Sequence, residues 1–301
     1  MTKTTMLRTS LLAGAALGLV MAAAPKDAHA VSYAYSALEI QDFKATNTFG
    51  GFSTFNFVAK QISADINGTN VTDGPETKTS AGSTIDLSQV CVGSCGSFSE
   101  NTFFPAPTPL ANGTYAVADQ YMTDSVILDA NGGDWGAMSG VQLGDGDAVA
   151  ESGTDHQLQW DFNITAGELA AAGGSITIDF SWEQRNFVEL VTTESGDTAN
   201  ATQSFSIRVT GPENFSQTVF DESLNISAGQ SPASASTGTQ TFFSNTASAT
   251  FTTAGNYSML FNYDVAANAT SVPEPGTIGL LGTGLLGLGA YGMRRRNKKA
   301  A

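Results

Sequence analysis

Basic residues, histidine and cysteine are all scarce in this sequence. Its 301 residues include 13 Lys and Arg against 28 Asp and Glu, with two His and two Cys. Residues 31–275 hold only five of those basic residues and 27 of the acidic ones, which is a formal net charge of −22. A body this acidic repels phosphate groups and anionic lipid headgroups. Nucleic-acid binding and electrostatic membrane binding are therefore excluded as functions of the body.

Residues 1–30 have the layout of a secretory signal peptide. Two basic residues precede an uncharged, Leu- and Ala-rich run over residues 11–24. Ala28 and Ala30 then supply the small residues that signal peptidase recognises, so we predict this enzyme as a partner and cleavage after Ala30. A retained membrane anchor is the alternative, but the apolar run is short for a membrane span.

Residues 272–301 have three parts in a fixed order. A motif at 272–277 comes first, an uncharged run at 276–293 follows, and a basic tail at 294–299 comes last. As an α-helix the run would be about 27 Å long, close to the roughly 30 Å hydrocarbon core of a bilayer. We therefore predict a transmembrane helix that holds the precursor transiently in the inner membrane, with the body outside the cytoplasm. The residues concerned are Val272, Pro273, Glu274 and Pro275 in the motif and Arg294, Arg295, Arg296, Lys298 and Lys299 in the tail.

This layout resembles the PEP-CTERM sorting signal of bacterial exosortase substrates. The resemblance covers about the last 30 residues and rests on Pro273-Glu274-Pro275, the Gly- and Leu-rich run and the basic tail. It implies that a membrane-embedded exosortase removes the tail near the motif and delivers the body to the cell surface or extracellular matrix, typically in bacteria that make exopolysaccharide. An ordinary single-span anchor is the alternative, yet it has no need of the two prolines. Residues 31–36 also resemble the EDSAP-type subset of this family, although its naming motif does not align here.

The residues between the two signals have the alternating pattern of β-strands. Only 14% of the chain is charged and 41% is hydrophobic, which excludes wholesale disorder. Apolar and polar residues alternate through 156–164 and 175–183, as in antiparallel strands with one face on a core. We predict an all-β, antiparallel β-sandwich, jelly-roll-like, as a single domain over 31–265, with a linker at 266–271. Further strands are expected at 33–44, 54–66, 115–128, 205–209, 217–226, 239–252 and 257–265, and one short helix at 166–172 with Thr165 as its N-cap.

The two cysteines, Cys91 and Cys95, predict a disulfide. Three residues separate them, and an exported protein meets an oxidising compartment. A thiol–disulfide catalyst is the alternative, but such enzymes favour two intervening residues and a helix N-terminus.

No group of residues has the spacing of an active site. His156 is the one histidine of the body, so a Ser-His-Asp triad or a zinc site would have to use it. The other members of either site are not recognisable beside it. We therefore expect no enzyme activity, no catalytic residue and no bound zinc.

Calcium is the one cofactor that the sequence leaves open. Asp129, Asp134, Asp145 and Asp147 lie in Gly-rich stretches, and Ca²⁺ prefers carboxylate oxygens. The EF-hand spacing is not met, and Asp and Gly are common in turns, so a turn role is favoured over metal binding.

Trp135 is the aromatic residue that we expect to be exposed. It follows two glycines in the stretch 132–136, whereas Trp160 and Trp182 fall on the apolar faces of alternating strands. Trp135 is therefore the candidate ligand contact. We expect an exported protein with a structural or adhesive role in the envelope or extracellular polysaccharide. A carbohydrate-binding, lectin-like module that uses Trp135 is the alternative, and a secreted glycan-active enzyme is a further one.

Overall fold

The structure is a computed structural model that describes residues 31–46, 54–78, 84–96, 98–110, 113–123, 133–144, 149–229 and 231–272. Within these ranges the chain forms thirteen strands and one α-helix. The helix is α1 (Ala166–Ala171), and a 3₁₀ turn spans Pro212–Asn214. The strands are β1 (Ser32–Thr46), β2 (Thr54–Ile66), β3 (Thr69–Asp73), β4 (Glu76–Lys78), β5 (Ile85–Gly93), β6 (Tyr115–Thr123), β7 (Gly133–Leu143), β8 (Val149–Ile164), β9 (Ile176–Thr192), β10 (Thr198–Thr210), β11 (Ser216–Ala228), β12 (Ala233–Phe251) and β13 (Gly255–Thr270).

The strands form two antiparallel sheets. Sheet 1 has the order β12-β9-β1-β7-β6-β5, and sheet 2 has the order β11-β10-β13-β8-β2-β3, with β4 also paired to β2. Every pairing in both sheets is antiparallel. The chain crosses between the sheets several times, so strands that follow one another often face each other across the core. The predicted all-β antiparallel sandwich is confirmed.

Alternation in the sequence explains how the two sheets pack. Every second residue is buried along β9 and β13, and these buried faces meet in one hydrophobic core. Phe43 lies inside it, with its ring centroid 5.0 Å from that of Trp135 and 5.4 Å from that of Trp182. Because burial of one Phe side chain is worth about 1.5–3 kcal/mol, this aromatic cluster is a major source of the stability of the sandwich.

The predicted short helix is confirmed, and Thr165 is its N-cap. The Thr165 Oγ1 accepts a hydrogen bond from the backbone N–H of Glu168 at 3.2 Å. The Glu168 Oε2 accepts one from the backbone N–H of Thr165 at 2.7 Å. This reciprocal capping box satisfies two backbone N–H groups that have no hydrogen-bond acceptor within the helix. The connection from β8 to β9 is thereby held in a defined conformation.

A strap, residues 98–110, covers the outer face of sheet 1. Its Phe103 ring stacks on Tyr121 with 5.4 Å between centroids and lies directly over Gly136. A Cβ at position 136 would collide with that ring, so this close approach requires glycine. The strap and sheet 1 enclose a second hydrophobic cluster, which includes the buried Tyr33 and Tyr35. Sheet 1 therefore has both of its faces covered where the strap lies.

The strands differ from the prediction in several places. The expected linker is wrong for residues 266–270, because they continue β13 and pair with residues 198–202 of β10. The strand expected at 115–128 ends at Thr123 in the described part of the chain. β3, β4, β5 and β7 have no predicted counterpart. β7 is buried on both faces and so lacks alternation, and β5 has a register shift between Leu87 and Val90.

Both predicted targeting segments lie outside the described residues. They are the signal peptide at 1–30 and the segment from Pro273 onward, which includes the expected transmembrane helix at 276–293. In the part of the chain that the structure does describe, no helix has the length and hydropathy needed to cross a bilayer.

Candidate functional site

Val31 and Val272 lie at the same end of the sandwich. The backbone N–H of Val31 donates to the Thr193 Oγ1 at 2.8 Å, and the Val31 carbonyl accepts the backbone N–H of Thr193 at 3.1 Å. The next residue, Ser32, donates from its Oγ to the Thr270 carbonyl at 3.2 Å, which joins β1 to the end of β13. Residues 31–32, 193–197 and 270–272 therefore lie together at one end of the sandwich, called here the processing end.

Asp197 fixes the backbone at the end of the described body. The Val272 N–H donates to the Asp197 Oδ1 at 3.1 Å. Asp197 is fully buried and Ser271 is nearly so, whereas Val272 is 43% exposed. Gly196 has a φ of 104°, a left-handed conformation that favours glycine, and it lies against the Val272 side chain. The chain is thus attached to the sandwich up to Val272, the first residue of the predicted sorting motif.

A comparison with family models identifies the segment that follows β13. Residues 271–296 match the PEP-CTERM protein-sorting motif, and the match begins one residue after β13 ends. The chain carries a PEP-CTERM sorting signal. It is an exosortase-targeted, exported protein with a membrane-anchored precursor that is sorted to the cell surface. No curated protein and no solved structure shows significant similarity to this chain.

Most of the predicted processing residues lie outside the described part of the chain. Val272 is the sorting residue within the described ranges, and it lies at the processing end. The others outside the described ranges are Ala28 and Ala30 at the signal-peptide cleavage site, Pro273, Glu274 and Pro275 in the motif, and Arg294, Arg295, Arg296, Lys298 and Lys299 in the tail.

Cys91 and Cys95 are joined by a disulfide, as predicted. Their Cα atoms are 6.2 Å apart, and Cys95 packs against the hydrophobic cluster beneath the strap. The bridge closes the turn that leaves β5, close to where the strap begins. The disulfide therefore stabilises the turn between β5 and the strap.

Trp135 does not lie in an exposed loop, so that expectation is wrong. It lies in β7, where it pairs with Ile40 of β1 and with Met122 of β6. The residue is 2% exposed, and its ring stacks at 5.0 Å on Phe43. The glycines around it permit close packing rather than a turn, because Gly136 lies under the strap. Trp135 is a core residue and does not provide an exposed ligand contact.

His156 lies in the middle of β8 rather than near a cleft. It is fully buried, and its ring stacks on Tyr263 with 4.5 Å between centroids. In β8 its neighbours on the same face are Thr154 and Leu158, both of which are also buried. The histidine is therefore part of the packing between the sheets.

The four calcium candidates divide between the two parts of the chain. Asp134 is described: its Oδ1 accepts the backbone N–H of Asp42 at 3.0 Å, where β1 has a register shift. Asp129, Asp145 and Asp147 lie outside the described residues. Among the residues that the structure places, no group of three or more His, Cys, Asp or Glu side chains could hold a metal ion.

Asp119 is a buried carboxylate beneath the strap, and the sequence pattern did not indicate it. Its Oδ2 accepts the backbone N–H of Asn101 at 2.6 Å, and its Oδ1 accepts that of Gln120 at 2.8 Å. Burial raises the pKa of Asp119 to about 7, and the nearby carboxylates of Glu100 and Asp86 act in the same direction. The two N–H donors favour the charged form and oppose this rise. Asp119 therefore ties the strap to β6 and changes charge near neutral pH.

Arg185 of β9 contacts the strap and both strands that flank β9, which are β1 and β12. Its Nε and Nη2 donate to the Glu39 Oε2 at 2.8 and 2.5 Å. Its guanidinium lies 4.3 Å from the ring centroid of Phe104 and 4.5 Å from that of Phe242. Paired with a carboxylate and packed between two rings, this cation has a structural role.

Proposed function

We propose that this PEP-CTERM protein is a non-catalytic structural or adhesive component of the cell envelope or extracellular polysaccharide. The observation that carries the proposal is the outer face of sheet 2, which is polar across neighbouring strands. Along β8 and β13 every second side chain points outward, and most of these are amides, hydroxyls or carboxylates. Such a face offers many hydrogen-bonding groups to a polymer, and none of the outward side chains of β8 and β13 is aromatic.

Two pairs of carboxylates stand opposite one another on this face. Asp155 of β8 pairs in register with Asp264 of β13, and Glu151 of β8 pairs with Asp65 of β2. Ca²⁺ takes six to eight oxygen ligands, which is more than two protein carboxylates supply. A Ca²⁺ ion bound at such a pair would complete its ligands with the carboxylates of an acidic polysaccharide. This arrangement supports cation-bridged attachment to an acidic polymer.

The processing end is consistent with this role. Val31 and Val272 lie at one end of the sandwich, whereas Asp155 and Asp264 lie further along the outer face of sheet 2. The lectin-like alternative loses its proposed contact because Trp135 is buried. The glycan-active enzyme gains no support from His156, which is also buried.

Co-sedimentation with polygalacturonate, a linear polymer of carboxylated sugars, tests the proposal. The exported protein should sediment with this polymer in Ca²⁺ and stay in the supernatant in EDTA. It should not sediment with neutral dextran. The double substitution Asp155→Asn with Asp264→Asn should weaken the Ca²⁺-dependent binding. Asp221→Asn, on the exposed face of β11, is the matched control. Equal binding to dextran, or no binding in Ca²⁺, would contradict the proposed role.

A further inference from the structure

The strand β12 combines three properties that are found together in no other described strand. It is the longest, with 19 residues, and it forms one edge of sheet 1. Between Ala233 and Phe251 it contains no Asp, Glu, Lys, Arg or Pro. Each of the other twelve strands in the described ranges carries at least one charged residue. An uncharged strand is thus placed at an edge in a body whose formal net charge is −22.

Edge strands normally carry features that prevent pairing with another chain. Charged side chains, proline, short length and bulges are the usual ones. The other edge strands in the described sheets follow this rule: β5 has Asp86, β11 has Asp221 and Glu222, and β3 has Asp73. β12 has only a register shift between Thr239 and Phe243. Beyond that shift, residues 243–251 pair regularly with β9 and leave their other side open within the described structure.

We infer that residues 243–251 of β12 pair with the same segment of a second copy of this chain. The pair would be antiparallel and two-fold symmetric, because one strand then meets an identical strand, and it would join two copies of sheet 1 into a continuous sheet. Nine residues in such a pair extend roughly 30 Å. The inference concerns the folded body and holds whatever polymer the body contacts.

Charge decides in favour of a second copy as the partner. A basic partner would bind more strongly to the acidic edges and faces than to an uncharged strand. A second copy is itself strongly acidic, so it can approach closely only along a strip without charge. On the adjacent strand β9, the carboxylates of Glu183 and Asp179 pair in register with Ser244 and Ser248. In the proposed pair, β9 strands of the two copies would be about 14 Å apart, beyond the Debye length of about 8 Å at physiological salt.

The side chains of the segment also suit pairing with themselves. Ser244, Thr246, Ser248 and Thr250 are exposed and lie on one face of the strand, and Thr250 already bonds across to Thr177 of β9 at 3.0 Å. Hydroxyl side chains opposite one another on adjacent strands form favourable cross-strand pairs. The same ladder would continue across the junction between the two copies.

Sedimentation velocity on the exported protein, recovered from outside the cell, tests the inference. The wild type should form dimers in 0.15 M NaCl, and more of them in 1 M NaCl because salt screens the net repulsion. Thr246→Lys with Ser248→Lys should weaken the dimer by about tenfold or more, since charge on an edge blocks pairing. Ser223→Lys with Ser227→Lys, at exposed positions on β11, adds the same charge at another edge and should leave the dimer intact.

This pair of variants separates the edge from general electrostatics. Both lower the net negative charge, so a purely electrostatic account predicts tighter association for both. Hydrogen exchange on the wild type gives an independent reading that needs no variant: amides in residues 243–251 should gain protection as protein concentration rises. A wild type that stays monomeric at high salt, equal weakening by both variants, or protection confined to another surface would overturn the inference. None of those results would affect the sorting assignment or the polymer assay.

Discussion

The carboxylate of Asp197 accepts a hydrogen bond from the backbone N–H of Val272 at 3.1 Å. This contact joins a buried residue of the β9–β10 connection to the first residue of the sorting motif. The body therefore remains fixed to the point where the sorting signal begins, and Val31, just before β1, is bound to the same connection through Thr193.

Removal of this carboxylate should loosen the processing end. We expect Asp197→Ala to lower the free energy of unfolding by about 1–3 kcal/mol, because the Val272 N–H loses its acceptor. Hydrogen exchange in residues 265–272 of the exported protein should accelerate. Glu194→Ala, a change in the same connection, should have little effect on either quantity. Unchanged exchange in Asp197→Ala would show that the contact does not hold this segment.

Asp119 should make stability depend on pH below neutrality. Its pKa is about 7 in the folded protein because of burial, against an ordinary value of 3.8. The folded state thus favours the protonated form. The stabilising contribution is complete below about pH 4 and is lost as pH rises to about 7, at roughly 1.4 kcal/mol for each pH unit.

The substitution Asp119→Asn removes this titration and gives the matching measurement. Urea unfolding at several pH values should show a shallower loss of stability between pH 4 and 7 in this variant than in the wild type. Asp221→Asn, at an exposed position on β11, should keep the wild-type slope. If wild type and Asp119→Asn have parallel pH profiles, the carboxylate does not titrate in this range.

Trp135 should contribute to stability and not to binding. Trp135→Ala should cost about 3–5 kcal/mol, because the ring packs on Phe43 and is almost fully buried. Trp135→Phe keeps an aromatic ring and should cost less. Urea unfolding measures both changes. A Trp135→Phe variant that is as stable as the wild type but no longer sediments with polygalacturonate would show that Trp135 contributes to ligand binding.

The sorting motif should be needed for release of the body from the membrane. Changing Pro273, Glu274 and Pro275 together to Ala should leave a full-length precursor in the membrane fraction, as seen on immunoblots of fractionated cells. Lys in place of Arg294, Arg295 and Arg296 keeps the positive charge that sets topology and should allow normal processing. Normal release from the alanine variant would contradict the role of the motif.

Local patterns in the sequence predicted the elements that have one face on the core. The bounds of β2 agree with the prediction at 54–66, and α1 begins after the expected N-cap Thr165. In these elements the period of the apolar residues, or a capping residue, is sufficient information. The sorting motif was recognisable for a similar reason, since its parts are adjacent in sequence.

The parts that could not be predicted depend on contacts between distant residues. β7 lacks alternation because the strap covers its outer face, and that cover comes from about 30 residues earlier in the chain. Trp135 resembles a loop residue in sequence because of its neighbour Gly136, which lies under the strap, whereas the Trp135 ring is buried between the two sheets. Asp119 and Asp197 are two of 27 acidic residues in the body, and only the tertiary structure distinguishes them.

Intact-mass spectrometry of the protein recovered from outside the cell tests the central claim most directly, because one spectrum defines both mature ends. The sorting account predicts a chain that begins at Val31 and ends within or beside residues 272–277, without the basic tail at 294–299. A recovered chain that still contains Arg294, Arg295 and Arg296 would contradict it.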